Sequence, residues 1–291
     1  MKGWVNNVKK NRFEIDMCNG SIMDKLISFS LPLMVSGILQ LAFNAVDIIV
    51  VGRFSGSQAL AAVGSTTALI NVFTNLFIGI SLGANVLAAR FYAAGKDREM
   101  SETVHTSITL ALISGIMMAV IGVLLAKWAL EIMGTPDDVI GQSALYMRIY
   151  FMGMPFFMLY NYGAAILRAI GDTKRPLIFL IISGIANAAL NMTLVILFHM
   201  GVAGVAIGTI ISQLISCVLV LTCLYRSEGS YQLRFSKLKI NGAYMEQIFQ
   251  VGVPAGIQST VINLSNALLQ SSVNSFGSIA MAGYTAANNI L

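Results

Sequence analysis

The stretch LPLMVSGILQLAFNAVDIIV, residues 31–50, is echoed near the end of the chain by VPAGIQSTVINLSNALLQSS, residues 253–272. Leu31-Pro32 meets Val253-Pro254, Asn44-Ala45 meets Asn266-Ala267, and Phe54 meets Phe276, all in one register. One deletion later, Gly56-Ser57, Ala59 and Ala61 meet Gly277-Ser278, Ala280 and Ala282. A parallel repeat of such length, each copy rich in apolar segments, is the pattern of a two-lobed membrane transporter. The second copy ends at Leu291, inside an apolar segment. The expectation is one complete lobe and the truncated start of another.

Composition supports a bilayer setting. The chain is 56% hydrophobic and only 11% charged, with mean hydropathy +0.77. Soluble domains carry about 25% charged residues. A span needs about 20 apolar residues. Seven such segments are predicted, at about 26–51, 60–88, 103–126, 144–167, 176–198, 203–225 and 247–273, and an eighth begins near Ser278. The fold class is therefore an all-α polytopic membrane protein. Its predicted parts are an N-terminal segment 1–25, a six-span lobe 26–225, an inter-lobe linker 226–246 and the start of a second lobe 247–291.

Lysine and arginine orient it. They gather before span 1 (Lys2, Lys9, Lys10, Arg12, Lys25), between spans 2 and 3 (Arg90, Lys96, Arg98), between spans 4 and 5 (Arg168, Lys174, Arg175) and in the linker (Arg226, Arg234, Lys237, Lys239). Only Arg53, Lys127 and Arg148 lie toward the other side, with Glu131, Asp137 and Asp138 in the 3–4 loop. The basic side is expected to be cytoplasmic, the N-terminus included. The net charge of +5 is thus explained by short loops and is no sign of nucleic acid. The first apolar run is span-length and follows a long, partly acidic stretch, so no cleavable leader is expected.

Catalytic and metal patterns are missing from the sequence. Cys18, Cys217 and Cys223 form no disulfide framework, and Cys217 and Cys223 occupy different faces of one predicted helix. His105 and His199 are isolated, near span ends. An intramembrane enzyme would need a nucleophile–base pair or metal ligands within the spans, so the chain is not expected to be an enzyme. No tightly bound cofactor is expected.

One charge stands out. Asp47 is the only acidic residue well inside a predicted span, about 30 Å from its start at a 1.5 Å rise. Ser36, Gln40, Asn44 and Asp47 share a helical face, which must look into the bundle or a wet cavity, since a charge in hydrocarbon is costly. The bland alternative is a carboxylate at the rim, wet or paired with Arg53. Span 5 carries Asn187 and Asn191 one turn apart, and span 6 carries Thr209 with Ser212 and Gln213 nearby. Such oxygens suit a small hard cation or a protonated acid, or serve as interhelical glue. Spacing alone does not make them converge.

Other polar stripes are candidate cleft walls: Asn71 and Asn75 on span 2, Asn263 and Asn266 on span 7 with Ser259 and Gln270. Packing with satisfied side chains is the competing reading. Span 4 is rich in aromatic residues and methionine, from Tyr146 to Tyr162. It reads as lipid-facing and interfacial sequence, with a surface for flat lipophilic cations as the other reading. Arg148 is expected to snorkel to the interface. Small residues at four-residue spacing, Gly79/Gly83, Gly204/Gly208/Ser212 and Gly252/Gly256, read as close helix packing. Spans 7 and 8, lacking the rest of their lobe, are expected to pack poorly and leave an exposed polar–apolar face.

Pro32 with the run Asp47-Ile48-Ile49-Val50-Val51-Gly52, the loop Leu167-Arg168-Ala169-Ile170-Gly171-Asp172-Thr173-Lys174-Arg175-Pro176, and the Asn187/Asn191 pair resemble the multidrug and toxic compound extrusion (MATE) family. The resemblance runs from about Asp24 onward and holds in order. It implies twelve spans in two six-span lobes working by alternating access. It further implies that Asp47, Asn187, Asn191 and Thr209 bind a proton or a sodium ion, and that span 1 bends at Pro32. Some members carry a glutamate on span 7, where this chain has Ile262, so it is similar to the branch whose coupling site lies in the first lobe alone. The implied activity is antiport of organic, cationic compounds by a monomer in a bacterial cell membrane. A lipid-linked precursor flippase of the wider superfamily is the alternative, but it would require cationic residues facing the cleft. The 291 residues alone are not expected to transport.

Overall fold

The computed structural model describes residues 21–288. The expectations that fall on Lys2 to Arg12 and on Cys18 lie outside them. The described chain is helical throughout: α1 (Ile22–Phe54), α2 (Gly56–Ala93), α3 (Asp97–Ile132), α4 (Asp137–Met152), α5 (Met154–Ala169), α6 (Lys174–Met192), α7 (Gly201–Arg226), α8 (Gly242–Asn274) and α9 (Ser278–Asn288). Among the described residues five helices are long and apolar enough to cross a membrane: α1, α2, α3, α6 with its extension to Leu197, and α7.

The predicted fourth span differs from expectation. It is two 16-residue helices broken at Gly153. Pro155 follows at the start of α5, where its missing N–H costs nothing, whereas inside a continuous helix it would remove a backbone bond. The break also brings α7 close: a Cβ on Gly153 would press on Gln213 and Ile210. Most of this span's aromatic and methionine content does not face lipid. Phe151, Met154 and Met158 are fully buried, and Tyr146, Met147 and Tyr162 nearly so, while Leu145 and Met152 stay exposed. Burial against α2, α3 and α7 overrides the interfacial composition read from sequence.

Around α4 and α5 the first lobe closes, with α3 and α2 on one side and α7 on the other; α6 packs on α7 and α1 on α6. Large apolar side chains such as Ile38, Leu41, Leu124 and Ile185 remain exposed, as a bilayer-facing surface requires. Pro32 sits inside α1, which continues as one helix through it. The Ser36 hydroxyl donates to the Pro32 carbonyl at 2.8 Å.

The loop after α5 is tightly bonded. Gly171 has φ +83°, a left-handed turn that glycine takes without strain. Asp172 Oδ1 accepts from the Arg175 backbone N–H at 3.1 Å, in the manner of a helix cap. Arg175 Nε lies 3.1 Å from Asp172 Oδ2, and Arg175 Nη1 reaches Cys223 Sγ on α7 at 3.3 Å. Asp172 and Thr173 are fully buried.

The linker is held to the first lobe. Between α7 and α8 it makes one short 3-10 turn, Phe235–Lys237. His105 on α3 is buried; its Nδ1 bonds the Ser101 carbonyl at 2.6 Å and its Nε2 accepts from the Arg234 backbone N–H at 3.1 Å. Asn241 caps α8 through Ala243 N and also donates to Glu102 Oε2 at 2.7 Å.

The expectation of poor packing beyond the linker is corrected. α8 against α2 is the most extensive helix pair in the structure. A Cβ on Gly79 would overlap the Gly256 backbone, and one on Gly83 would overlap Ile248 and Gly252. With no side chains between them the two backbones touch, while the exposed polar–apolar face expected from the sequence is present on the other side of α8. The far face of α8 is exposed at Ile257, Val261, Ile262, Leu264, Leu268 and Leu269.

Candidate functional site

Asp47 is placed by a notch. A Cβ on Gly184 of α6 would overlap the Phe43 ring of α1, so only glycine lets this ring seat there. One turn beyond Phe43 stands Asp47; one and two turns beyond Gly184 stand Asn187 and Asn191. Asn191 Nδ2 donates to Asp47 Oδ1 at 2.5 Å and to Asn187 Oδ1 at 3.3 Å. Asn187 Nδ2 points to Thr209 Oγ1 at 3.4 Å, and the Thr209 hydroxyl donates to the Val205 carbonyl at 2.9 Å. The structure thus brings Asp47, Asn187, Asn191 and Thr209 into one chain of hydrogen bonds. Within this chain Asp47 is the acceptor of the Asn191 amide, and the Thr209 hydroxyl closes the far end on the backbone.

α7 approaches Asn191 at Gly208, where a Cβ would overlap the Asn191 amide oxygen. Beyond Asn191, α6 widens into a π-helical turn, Thr193–Leu197, a geometry common at functional sites.

Asp47 borders two cavities. The larger, about 410 Å³, lies within the first lobe. Gln40, Asn44, Asn71, Asn75, Asn187 and Thr209 line it, all sites marked by the sequence. Tyr150, Tyr160 and Phe157 of the broken span, with Asn161, Ser183 and Gln213, complete the wall. From sequence those aromatics read as lipid-facing; the Pro155 signal for a break is the available clue. The smaller cavity, about 200 Å³, has Asn44, Asp47, Asn71, Tyr146 and Tyr150 on the first-lobe side and Gln270, Tyr284 and Thr285 beyond. Among the described residues neither lining includes a lysine or an arginine.

Asn263 and Asn266 are not brought to either cavity. Asn263 donates to its own helix at the Ser259 carbonyl, 2.8 Å, and Asn266 is exposed. Gln270, one turn beyond Asn266, is the α8 amide that reaches Asp47's surroundings. The Asp47 carboxylate is held by Asn191 rather than by Arg53. Among the described residues no cluster of three His, Cys, Asp or Glu side chains could hold a metal.

The MatE family model matches residues 32–193, the stretch that carries Pro32, Asp47 and the α6 asparagines. This chain belongs to the MATE family. It is 33% identical over 279 residues to the probable multidrug resistance protein YoeA of Bacillus subtilis strain 168, covering 93% of this chain and 60% of that protein. It is 23% identical over 265 residues to the multidrug export protein MepA of Staphylococcus saprophyticus, covering 91% and 58%. This MATE chain therefore spans about three fifths of the relatives' length. Among solved structures it is similar to the MATE multidrug transporter DinF-BH, with TM-score 0.87 at 22% identity over 97% of this chain and 63% of that one. A second likeness is to an inward-facing MATE transporter of the MOP superfamily, with TM-score 0.80 at 21% identity over 90% and 61%. At such identities the likeness establishes the fold. The family is one of membrane transporters, and this MATE chain has the multi-pass helical architecture that membership requires.

Proposed function

We propose that the full-length protein is a secondary antiporter that exports organic, cationic, lipophilic compounds in exchange for protons or sodium ions. The observation that carries this reading is the Asp47 carboxylate. One oxygen is held by Asn191, and the residue faces a 410 Å³ cavity walled by amides, hydroxyls and aromatic rings. In a low-dielectric lobe such a carboxylate requires a proton or a cation. Asn187 and Thr209 stand where they would complete that ion's shell. Neutralising Asp47 changes which arrangement of α1 against α6 and α7 is stable. Ion entry thereby biases the rocking of the lobes and drives substrate outward.

The relatives support multidrug export, since YoeA and MepA bear multidrug resistance and export names. Flat aromatic walls from Tyr150, Phe157 and Tyr160 suit lipophilic cations. The linker side is assigned to the cytoplasm by its lysines and arginines, in a bacterial cell membrane like that of the relatives. A flippase for pyrophosphate-linked lipids is disfavoured because neither cavity has a basic side chain among its described lining residues.

The test is efflux of a cationic fluorescent dye from vesicles holding the full-length protein, under imposed proton or sodium gradients, with and without Asp47→Asn. Gradient-driven efflux that the variant loses supports the reading, and the effective gradient names the ion. Efflux at the normal rate from Asp47→Asn sinks the coupling role.

A further inference from the structure

Far from the linker, α8 crosses to the first lobe through buried polar side chains. Asn274, its last residue, is 2% exposed and donates through Nδ2 to the Met133 carbonyl at 3.1 Å. Ser271 donates to the same carbonyl at 3.2 Å. Gln270, 4% exposed, donates through Nε2 to Asn274 Oδ1 at 2.9 Å. That bond fixes the Asn274 amide so that its NH₂ faces Met133. Met133 caps the end of α3, where carbonyls have no partner within the helix. Two donors from beyond the linker thus finish a first-lobe helix.

The linker half of α8 is joined differently. There the contact is backbone on backbone, Gly79 with Gly256 and Gly83 with Gly252. A glycine crossing has no interdigitated side chains to unlock, so a rotation there disturbs less than one at the polar end would. Asn274 lies 18 residues beyond Gly256, about 27 Å along the helix at a 1.5 Å rise. A rotation of about 10° at the crossing moves that end by about 5 Å on the same geometry. Every hydrogen bond to Met133 would break.

Gln270 also faces the 200 Å³ cavity that Asp47 borders. With the bonds to Met133 made, α8 and α9 wall that space. Parting them would open this side of Asp47 to more water than the 410 Å³ cavity alone supplies, and added hydration favours a bare carboxylate over a neutralised one.

We propose that the Gln270–Asn274–Ser271 clasp on the Met133 carbonyl is the inter-lobe gate at the face opposite the linker, and that neutralisation of Asp47 favours its closure. The proposal rests on the antiporter reading. Gln270 and Asn274 act in it as positioning residues that hold the closed arrangement.

The test uses the full-length protein with Cys18, Cys217 and Cys223 replaced by serine and with Met133→Cys and Ser271→Cys introduced. Both amides and the residue-133 carbonyl remain. A short, reducible bifunctional thiosulfonate links the pair, and the linked fraction is compared between Asp47 and Asp47→Asn. The expected result is a linked fraction higher in Asp47→Asn by roughly threefold or more, as a population shift. Linking should also stop dye efflux in the Asp47 form, and reduction should restore it. An equal or lower fraction in Asp47→Asn overturns the coupling to Asp47. Undiminished efflux from linked protein overturns the gate. If unlinked protein moves no dye under either gradient, the antiporter reading fails separately, and the linked-fraction comparison still decides the gate's response to residue 47.

Discussion

Asn191 on α6 donates its amide to the Asp47 carboxylate on α1 across 144 positions of sequence, at 2.5 Å. Asn191 is fully buried, so its amide has no water to take the carboxylate's place. Hydrogen bonds to charged groups contribute about 1.5–3 kcal/mol. Asn191→Ala is therefore expected to change the coupling-ion concentration that half-saturates efflux by about ten- to a hundredfold, leaving the fold intact. Titrating efflux against proton or sodium concentration checks it. An unshifted half-saturation point would show that the bond plays no part in ion binding.

Much of this site is legible in one dimension. Asp47 is a lone acid in a span, and Asn187 and Asn191 repeat at one helical turn. What spacing cannot express is which residue of one helix meets which of another. Gly184 and Gly208 decide that here, through contacts with Phe43 and Asn191 respectively. Gly184 looks no different from the many other glycines in the spans, and Gly208 sits in a small-residue stripe that reads as packing without naming Asn191 as its neighbour. The broken fourth span escapes a one-dimensional reading for a related reason. Aromatic residues suit both an interface and a core, and only the surrounding helices settle which one applies.

The glycine crossing of α2 and α8 yields a paired stability prediction. Gly79→Ala would drive a Cβ into the Gly256 backbone, which cannot yield as a flexible side chain can. It is expected to destabilise the protein by about 1–3 kcal/mol, the usual cost of overpacking. Gly37→Ala on α1 meets nothing within 4 Å and should stabilise the helix by about 0.5–1 kcal/mol. Thermal melts in detergent should move in opposite directions. A common direction would mean that the α2–α8 contact does not limit stability.

Arg175 joins two helices by a fork that lysine cannot copy. Its Nε faces Asp172 while its Nη1 reaches Cys223. Arg175→Lys should keep the charge near Asp172 and lose the reach to α7. Maleimide labelling of Cys223, in protein with Cys18 and Cys217 replaced, should accelerate several-fold, by the loss of about 1 kcal/mol of local protection. Unchanged labelling would mean that the Arg175 bond does not shield the thiol.

His105 pins the linker by accepting the Arg234 N–H while its other ring nitrogen is occupied by the Ser101 carbonyl. His105→Ala removes about 1 kcal/mol of anchoring. Arg234, Lys237 and Lys239 are exposed, but cleavage there needs the linker to lift from α3. Limited trypsin digestion of the variant should cut the linker about fivefold faster, in keeping with that loss. Equal rates would show that the linker is held by its other bonds, through Asn241, Glu102 and Thr106.

Gly208 offers a test of the ion site that removes none of its polar atoms. A Cβ there would overlap the Asn191 amide oxygen. Asn191 is bonded on its other side to Asp47 and Asn187, so the added methyl must push the amide off one of them. Gly208→Ala should then reproduce the shift in ion half-saturation caused by Asn191→Ala. Because both changes break the same bond, the double variant should shift no further than either single one. Additive effects on the same efflux titration would mean that Gly208 acts on helix packing alone and that Asn191 stays on Asp47 when α7 is forced away.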